Sequence, residues 1–227
     1  MTDLSHFHVS TTARFAVLAA LLSAALGAAA VAAVVIGSAG ATEAAPQVPA
    51  PHAEARMHGD PAAAAAYWHY QQQHLDCGEM AVADVVGEIS GHSPTEDEVT
   101  GAAANIASVA HPGPIYNGGK TSNRDLPVLL DHYGIASDID HPNLATLTQR
   151  LDEGRKVIVG LNDKVLWNTR GNRTRENHFV VVTGIDTRAN VVHMNDSGIA
   201  AGRDEQVPMA TFETAWAASN NFAVVTR

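Results

Sequence analysis

Residues 71–78 read Gln-Gln-Gln-His-Leu-Asp-Cys-Gly and contain Cys77, the single cysteine of the 227-residue chain. One thiol cannot form an intramolecular disulfide, and a thiolate zinc site needs two to four cysteines. Two roles remain for Cys77: an inert buried thiol, which is common for free cysteine, or a nucleophile. The sequence around Cys77 and further along the chain favours the nucleophile.

Cys77 is predicted to begin a helix. Apolar residues recur after it with the spacing of one helical face, at Val82, Val85, Val86 and Ile89. Gly91 closes this segment. Free N–H groups and the positive end of the helix dipole stabilise a thiolate at such a position. Gly78 is expected to leave room for a substrate carbonyl beside the sulfur.

Helical patterns continue up to about residue 153. Ser93-Pro94-Thr95-Glu96 predicts a capping box and a second helix to about Ala110. A third helix is capped by Thr121 or Ser122 and stops at Gly134. A fourth helix is predicted for 144–153.

The pattern then changes to that of strands. Short apolar runs predict strands at 157–161 and 178–184, and 191–196 pairs with the second of these as a hairpin. A short helix at 212–216 and a strand at 222–225 complete the chain. Helices followed by an antiparallel sheet predict an α+β domain, with a cleft between the helical N-terminal half and the C-terminal sheet.

The hairpin places a histidine and an aspartate close together. His178 begins one strand, and Asp196 lies 18 positions later, near the end of the paired strand. A four-residue turn brings these strand ends side by side, so Asp196 can orient the His178 ring and stabilise its charged form. Gln71, six residues before Cys77, can fold back over the sulfur and donate an amide N–H to an oxyanion. Gln72 is the second choice for this role.

The N-terminal region is predicted to export the chain. About 21 almost wholly apolar residues, 16–36, match the length of a membrane-spanning helix. Residues 1–41 are therefore either a cleaved signal peptide or a signal anchor that attaches the protein to the membrane. The Ala- and Pro-rich stretch 42–66 is interpreted as a flexible linker, and 67–227 as the folded domain. An extracellular or cell-surface location follows.

The charge balance argues against nucleic acid as a partner. The formal net charge is −10, and no basic patch is visible in the sequence. The remaining histidines show no metal-ligand spacing, so neither a metal nor another cofactor is expected. The oligomeric state is left open.

Three motifs and their order along the chain resemble those of the papain-like cysteine peptidases. Asp76-Cys77-Gly78, the segment 177–184 and the segment 195–198 are most similar to the peptidase domain of bacteriocin-processing exporters, especially its stand-alone exported relatives. The resemblance implies a papain-like fold over 67–227, with Cys77 as nucleophile, His178 as base and acid, Asp196 as orienting residue and Gln71 as oxyanion donor.

The resemblance also suggests a substrate-binding loop and shows two departures. Gly118 and Gly119 resemble the glycine pair that binds substrate backbone, although an ordinary glycine turn is the alternative. No ATP-binding cassette follows the domain, so processing coupled to export is not implied. Ser197 stands where a proline is expected in many relatives.

The expected function is thiol-dependent hydrolysis of peptide bonds in a peptide or protein substrate, through a thioester intermediate. Two alternatives stay open. The same triad could transfer the acyl group to an amine, as a transpeptidase or amidase does. A surface binding module could also keep the fold without activity, although the complete set of Cys77, His178 and Asp196 argues against this.

Overall fold

The computed structural model describes residues 56–227. The predicted export segment, 1–41, and residues 42–55 of the predicted linker lie outside the described residues. The helices are α1 (Pro61–Ala64), α2 (Cys77–Ser90), α3 (Glu96–Ala103), α4 (Leu126–His132), α5 (Leu144–Asp152), α6 (Asp163–Leu166) and α7 (Met209–Ala217). The strands are β1 (Met57–Gly59), β2 (Ser137–Asp140), β3 (Val157–Leu161), β4 (His178–Asp186), β5 (Val191–Asn195), β6 (Glu205–Pro208) and β7 (Ala223–Thr226).

Helix α2 forms where its apolar spacing predicts it. It ends at Gly91, whose left-handed conformation (φ 81°) lets its N–H donate to the Gly87 carbonyl. Most of the helix is buried. Its last turn reaches solvent, and Ile89 is exposed there although it belongs to the predicted apolar face.

Helix α3 begins two residues later than predicted. Thr95, not Ser93, is its N-cap and forms the capping box with Glu98. The Ser93 hydroxyl instead donates to the Tyr67 carbonyl at 3.4 Å.

Helix α3 also ends at Ala103 rather than near Ala110. The buried Asp125 carboxylate accepts hydrogen bonds from the Ser108 hydroxyl at 2.7 Å and the Val109 N–H at 2.8 Å. These bonds hold residues 108–109 in a loop, because the chain there is tied to a side chain 16–17 residues away instead of to the preceding helical turn.

The strands form one antiparallel sheet in the order β2-β7-β3-β4-β5-β6, and β1 pairs with the C-terminal end of β4. The predicted hairpin is β4–β5. Asp186 pairs with Val191 across a four-residue turn, and a bulge follows between Val182 and Gly184. The sheet confirms the predicted α+β class and carries His178 and Asp196 to the same end of the hairpin.

Apolar side chains pack on both faces of the sheet. Ile158, Val181 and Val224 face the core that contains α2, α3 and α4. Their neighbours along the same strands, such as Val157 and Val182, face a second core that contains α5 and α7. Strand side chains alternate between faces, so these continuous apolar runs reflect strands buried on both sides.

Three short strands were not predicted. β2 and β6 are the edges of the sheet and carry several polar residues, as edge strands often do. β1 and α1 lie in the stretch that was predicted as linker, 42–66. The ordered chain therefore includes at least ten residues before Tyr67, because Met57–Gly59 completes hydrogen bonding along β4.

Among residues 56–227, no helix combines the length and the apolar character that a membrane crossing requires.

Candidate active site

Cys77 is the first residue of α2 and is partly buried. Asp76 occupies the N-cap position, but its side chain makes no capping hydrogen bond. The N–H groups of the first helical turn are therefore left without a side-chain cap. Such a helix start favours negative charge, whether on a thiolate or on an oxyanion next to it.

His178 and Asp196 form a buried hydrogen-bonded pair. The Nε2 atom of His178 lies 2.7 Å from Oδ1 of Asp196, and the aspartate is fully buried. Because Nε2 is engaged by the carboxylate, Nδ1 is the ring atom left for the Cys77 sulfur. The hairpin thus brings together the two side chains that its register predicts.

The pKa of His178 reflects opposing influences. Burial is the largest of them and favours the neutral ring. The charge of Asp196 and the hydrogen bond to it, together with hydrogen bonding and charge attraction between His178 and Cys77, outweigh burial and raise the pKa of His178 well above its ordinary value. This environment therefore stabilises the protonated form of the His178 ring.

Gly198 contributes to the same pair, and sequence reasoning missed it. Its N–H donates to Oδ1 of Asp196 at 2.7 Å. A Cβ at this position would lie 2.9 Å from Cε1 of His178, so a side chain there would meet the imidazole. The Asp196-Ser197-Gly198 turn was the available signal, because a glycine two residues after an aspartate often accompanies a turn of this kind.

Two tryptophans surround the pair. The indole N–H of Trp68 donates to the Asp196 carbonyl at 2.6 Å, which fixes the backbone of the aspartate. The Trp167 ring lies 5.3 Å from the His178 ring, centroid to centroid. Trp167 contacts both the histidine and the second core.

Gln71 is linked to the segment after Asp196. Its backbone N–H donates to the Ser197 carbonyl at 3.0 Å, and its Oε1 accepts from the Ser197 hydroxyl at 3.0 Å. Its Nε2 donates to the Gln73 carbonyl at 3.1 Å, which leaves one of the two amide hydrogens free of that bond. Ser197 thus has a role in holding this segment where a proline was expected, and the oxyanion role of Gln71 stays a prediction.

Gln72 points elsewhere. Its side-chain Nε2 donates to the Tyr70 carbonyl at 3.0 Å, while its backbone N–H donates to Glu96 at 2.8 Å. Between the two glutamines, the links from Gln71 to Ser197 connect Gln71 to the segment that carries Asp196. The structure shows no such link for Gln72 among its hydrogen bonds.

The loop with Gly118 and Gly119 is attached to the start of α2 at both ends. The Tyr116 hydroxyl donates to the Gln73 side chain at 3.2 Å, and the Thr121 hydroxyl donates to Glu79. Gly118 has a left-handed backbone (φ 86°), is exposed, and has open space around it. The glycine pair therefore lies in a loop anchored beside the chain that carries Cys77, with room for a ligand backbone.

The comparisons with known proteins agree with this geometry. Residues 56–224 match the model of the Peptidase_C39 like family. The chain belongs to this family. It is 42% identical over 215 residues to the uncharacterized protein Rv1268c of Mycobacterium tuberculosis (strain H37Rv), covering 83% of this chain and 92% of that protein. The uncharacterized protein Mb1299c of Mycobacterium bovis matches with the same identity and coverage.

A solved structure shares the fold. The crystal structure of a C39-like peptidase from Bacillus anthracis aligns with a TM-score of 0.53 and 18% identity, over 72% of this chain and 95% of that one. The expected relation to papain-like, bacteriocin-processing peptidases is confirmed for family and fold.

Gly78 follows the cysteine of this C39-like chain for a reason other than the predicted one. A Cβ there would lie 3.1 Å from Thr121, 3.2 Å from Leu126 and 3.4 Å from Phe179. Gly78 is buried, so its missing side chain allows α2 to pack closely against the core. The expectation that it leaves room for a substrate carbonyl is not what the contacts around it indicate.

Buried carboxyl groups lie close behind Cys77 in this C39-like domain. Burial, followed by contact with Glu96 and its negative charge, raises the pKa of Asp76 to about 8. Burial also raises the pKa of Glu79 to about 7, although the Thr121 hydrogen bond opposes it, and raises the pKa of Asp84 well above its usual range. Helix α2 and its N-cap therefore carry less negative charge near neutral pH than their sequence suggests.

Proposed function

We propose that this C39-like protein is a cysteine peptidase that hydrolyses peptide bonds through Cys77, His178 and Asp196. The observation that carries the proposal is the buried His178–Asp196 hydrogen bond of 2.7 Å, formed on a ring that also contacts Cys77. A histidine with this environment can hold the proton of the thiol and return it later. An inert packing cysteine has no use for such a partner.

The reaction follows from these positions. The Cys77 thiolate attacks the carbonyl carbon of the scissile amide, and the negative charge on oxygen develops beside the uncapped N–H groups at the start of α2. The amine leaves with the proton that His178 held, and a thioester remains on Cys77. His178 then takes a proton from water, and the resulting hydroxide attacks the thioester. The carboxylic acid product leaves, and the thiolate–imidazolium pair is restored.

Other parts of the site support substrate binding in this proposal. Gln71 is the proposed second oxyanion donor, through the amide hydrogen that is not bonded to Gln73. Gly118 and Gly119 offer exposed backbone to an extended peptide. Asp196 orients the His178 ring through its hydrogen bond to Nε2.

The test uses the full chain and a mixture of random-sequence peptides, with the cleavage products identified by mass spectrometry. We expect new peptide termini with the wild-type protein and none with the Cys77→Ala or His178→Ala variants. An epoxysuccinyl probe should label Cys77 in the wild type and react far more slowly with the His178→Ala variant. Absence of cleavage together with labelling that ignores the loss of His178 would refute the proposal.

We also propose that the folded part acts outside the cell membrane. The support is the apolar stretch 16–36 with Arg14 just before it. Expression of a C-terminally tagged full chain, followed by protease treatment of intact cells, tests this location. The tag should be digested in intact cells or recovered from the medium, and a protected cytosolic tag would contradict the proposal.

A further inference from the structure

A second carboxyl group, from Glu205, lies behind the His178–Asp196 pair. Glu205 begins β6, where it pairs with Met194 of β5, two residues before Asp196. Diagonal neighbours on adjacent strands are within reach of a long side chain. Glu205 therefore lies diagonally across from Asp196, and the charge of Asp196 acts on the Glu205 carboxyl.

The two oxygens of Asp196 differ in their partners. Oδ1 accepts hydrogen bonds from His178 and from the Gly198 N–H, each at 2.7 Å. Oδ2 of Asp196 is buried and has no hydrogen-bond partner among the described residues, and Oε2 of Glu205 is likewise buried without one. A buried carboxylate oxygen without a donor is costly, so two of them on diagonally neighbouring residues require an explanation.

A shared proton supplies the missing donor. Two ionised carboxylates only accept hydrogen bonds and repel each other, whereas one protonated carboxyl donates an O–H to the other. Asp196 already receives two bonds that favour its ionised form, so the proton belongs to Glu205. Burial, followed by the charge of Asp196 and the contact with it, raises the pKa of Glu205 to about 7.

We propose that Glu205 is a positioning residue of the active site, whose protonated carboxyl donates a hydrogen bond to Oδ2 of Asp196 and fixes that carboxylate in line with His178. With both oxygens bonded, Asp196 cannot rotate, and the imidazole keeps Nδ1 toward Cys77. This inference rests on the proposed function, because it assigns Glu205 a role only if the His178–Asp196 pair serves Cys77.

The surroundings of Glu205 contain few other charges that could take this role. His178 on β4 attracts the ionised form of Glu205 and so works against its protonation, while Asp196 at the end of β5 favours protonation. Asp84 on α2 is buried, and its charge interacts with those of Arg203 and Asp196. The adjacent Asp204 is paired with His193 at 2.6 Å.

The first test is the rate at which iodoacetamide alkylates Cys77 in the full chain, measured as a function of pH for the wild type, Glu205→Gln and Glu205→Leu. Gln keeps the size of the side chain and an N–H donor for Oδ2, whereas Leu keeps the bulk and removes the donor. At pH 6 we expect Cys77 in the Leu variant to react about tenfold more slowly than in the wild type, because a hydrogen bond to a charged group is lost. The Gln variant should keep the wild-type rate and the wild-type pH at which alkylation rises.

The second test is infrared difference spectroscopy of the wild type against Glu205→Gln. A protonated-carboxyl band should be present at pH 5.5 and decrease as the pH rises through about 7. This measurement stands even if the Leu variant does not fold. The assignment would be overturned if the difference spectrum at pH 5.5 showed carboxylate bands and no protonated-carboxyl band. It would also be overturned if the folded Leu and Gln variants were alkylated at equal rates.

The two proposals fail in different ways. If wild-type Cys77 reacts at pH 6 no faster than a free thiol does, the proposed peptidase function fails. If the wild type reacts fast and Glu205→Leu reacts equally fast, only the role of Glu205 fails. A loss of thermal stability without a change in the pH dependence of alkylation would mean that Glu205 acts by packing alone.

Discussion

Replacement of Gly198 by alanine is expected to disable the site by steric conflict with the His178–Asp196 pair. A Cβ at position 198 would lie 2.9 Å from Cε1 and 3.2 Å from Nε2 of His178. Favourable contacts between carbon atoms are about 3.5–4.0 Å long, so the imidazole would have to retreat by roughly 0.6–1.1 Å. Gly198 does not have a left-handed backbone, so alanine there is limited by the contacts of its Cβ with His178 and, at 3.2 Å, with Oδ1 of Asp196.

A misplacement of about 1 Å in a catalytic group can cost roughly 100-fold in rate. We therefore expect Cys77 in Gly198→Ala to react with iodoacetamide at pH 6 about 100-fold more slowly than in the wild type, and peptide cleavage to fall similarly. Intact-protein mass spectrometry gives the alkylation rate, and thermal unfolding shows whether the variant is folded.

Gly101→Ala is the matched control. Gly101 lies in α3 with open space around its Cβ position and without a left-handed backbone. Alanine there should leave the alkylation rate unchanged and stabilise the fold by up to about 1 kcal/mol. A folded Gly198→Ala variant that reacts within threefold of the wild type would refute the steric reasoning.

Three further predictions concern the surroundings of the site. Gly78→Ala should lower the free energy of unfolding by about 1–3 kcal/mol, measured by urea denaturation, because the new Cβ crowds Thr121 and the core; an unchanged midpoint would contradict this. Asp196→Ala should slow Cys77 alkylation at pH 6 by about 10- to 150-fold, since a charged hydrogen bond to His178 is lost. A rate equal to that of the wild type would show that Asp196 does not help to activate Cys77. The raised pKa of Asp76 means that the native state binds its proton more tightly than the unfolded chain does, so stability should fall as the pH rises from about 4 to about 8. In Asp76→Asn the free energy of unfolding, measured by urea denaturation, should fall less steeply with pH across this range. The same pH dependence in variant and wild type would contradict the raised pKa of Asp76.

The parts of the fold that the sequence predicted well are those with strong local patterns. β3 is a continuous apolar run buried on both faces, and it was predicted with its observed bounds. The β4–β5 hairpin followed from two apolar runs and a turn, so the contact between His178 and Asp196 could be inferred from register alone. Cys77 at a helix start followed from the spacing of the apolar residues after it.

The parts that were missed depend on contacts between distant segments. Ser93 and Thr95 are both good N-caps by residue type, and the bond from Ser93 to Tyr67 decides between them. β6 is a polar edge strand whose partner is β5, and without its register nothing in the sequence places Glu205 behind Asp196. The role of Gly198 is likewise visible only once the His178 ring is in place.

The central claim is that His178 and Asp196 activate Cys77, and the pH dependence of Cys77 alkylation by iodoacetamide tests it most directly. An ordinary cysteine thiol has a pKa near 8.5, so only about 0.3% of it is thiolate at pH 6. We expect that the wild-type rate does not fall as the pH is lowered from 8 to 6, while the rate of folded His178→Ala falls about tenfold per pH unit. Identical, steeply falling profiles for the two proteins would contradict the account.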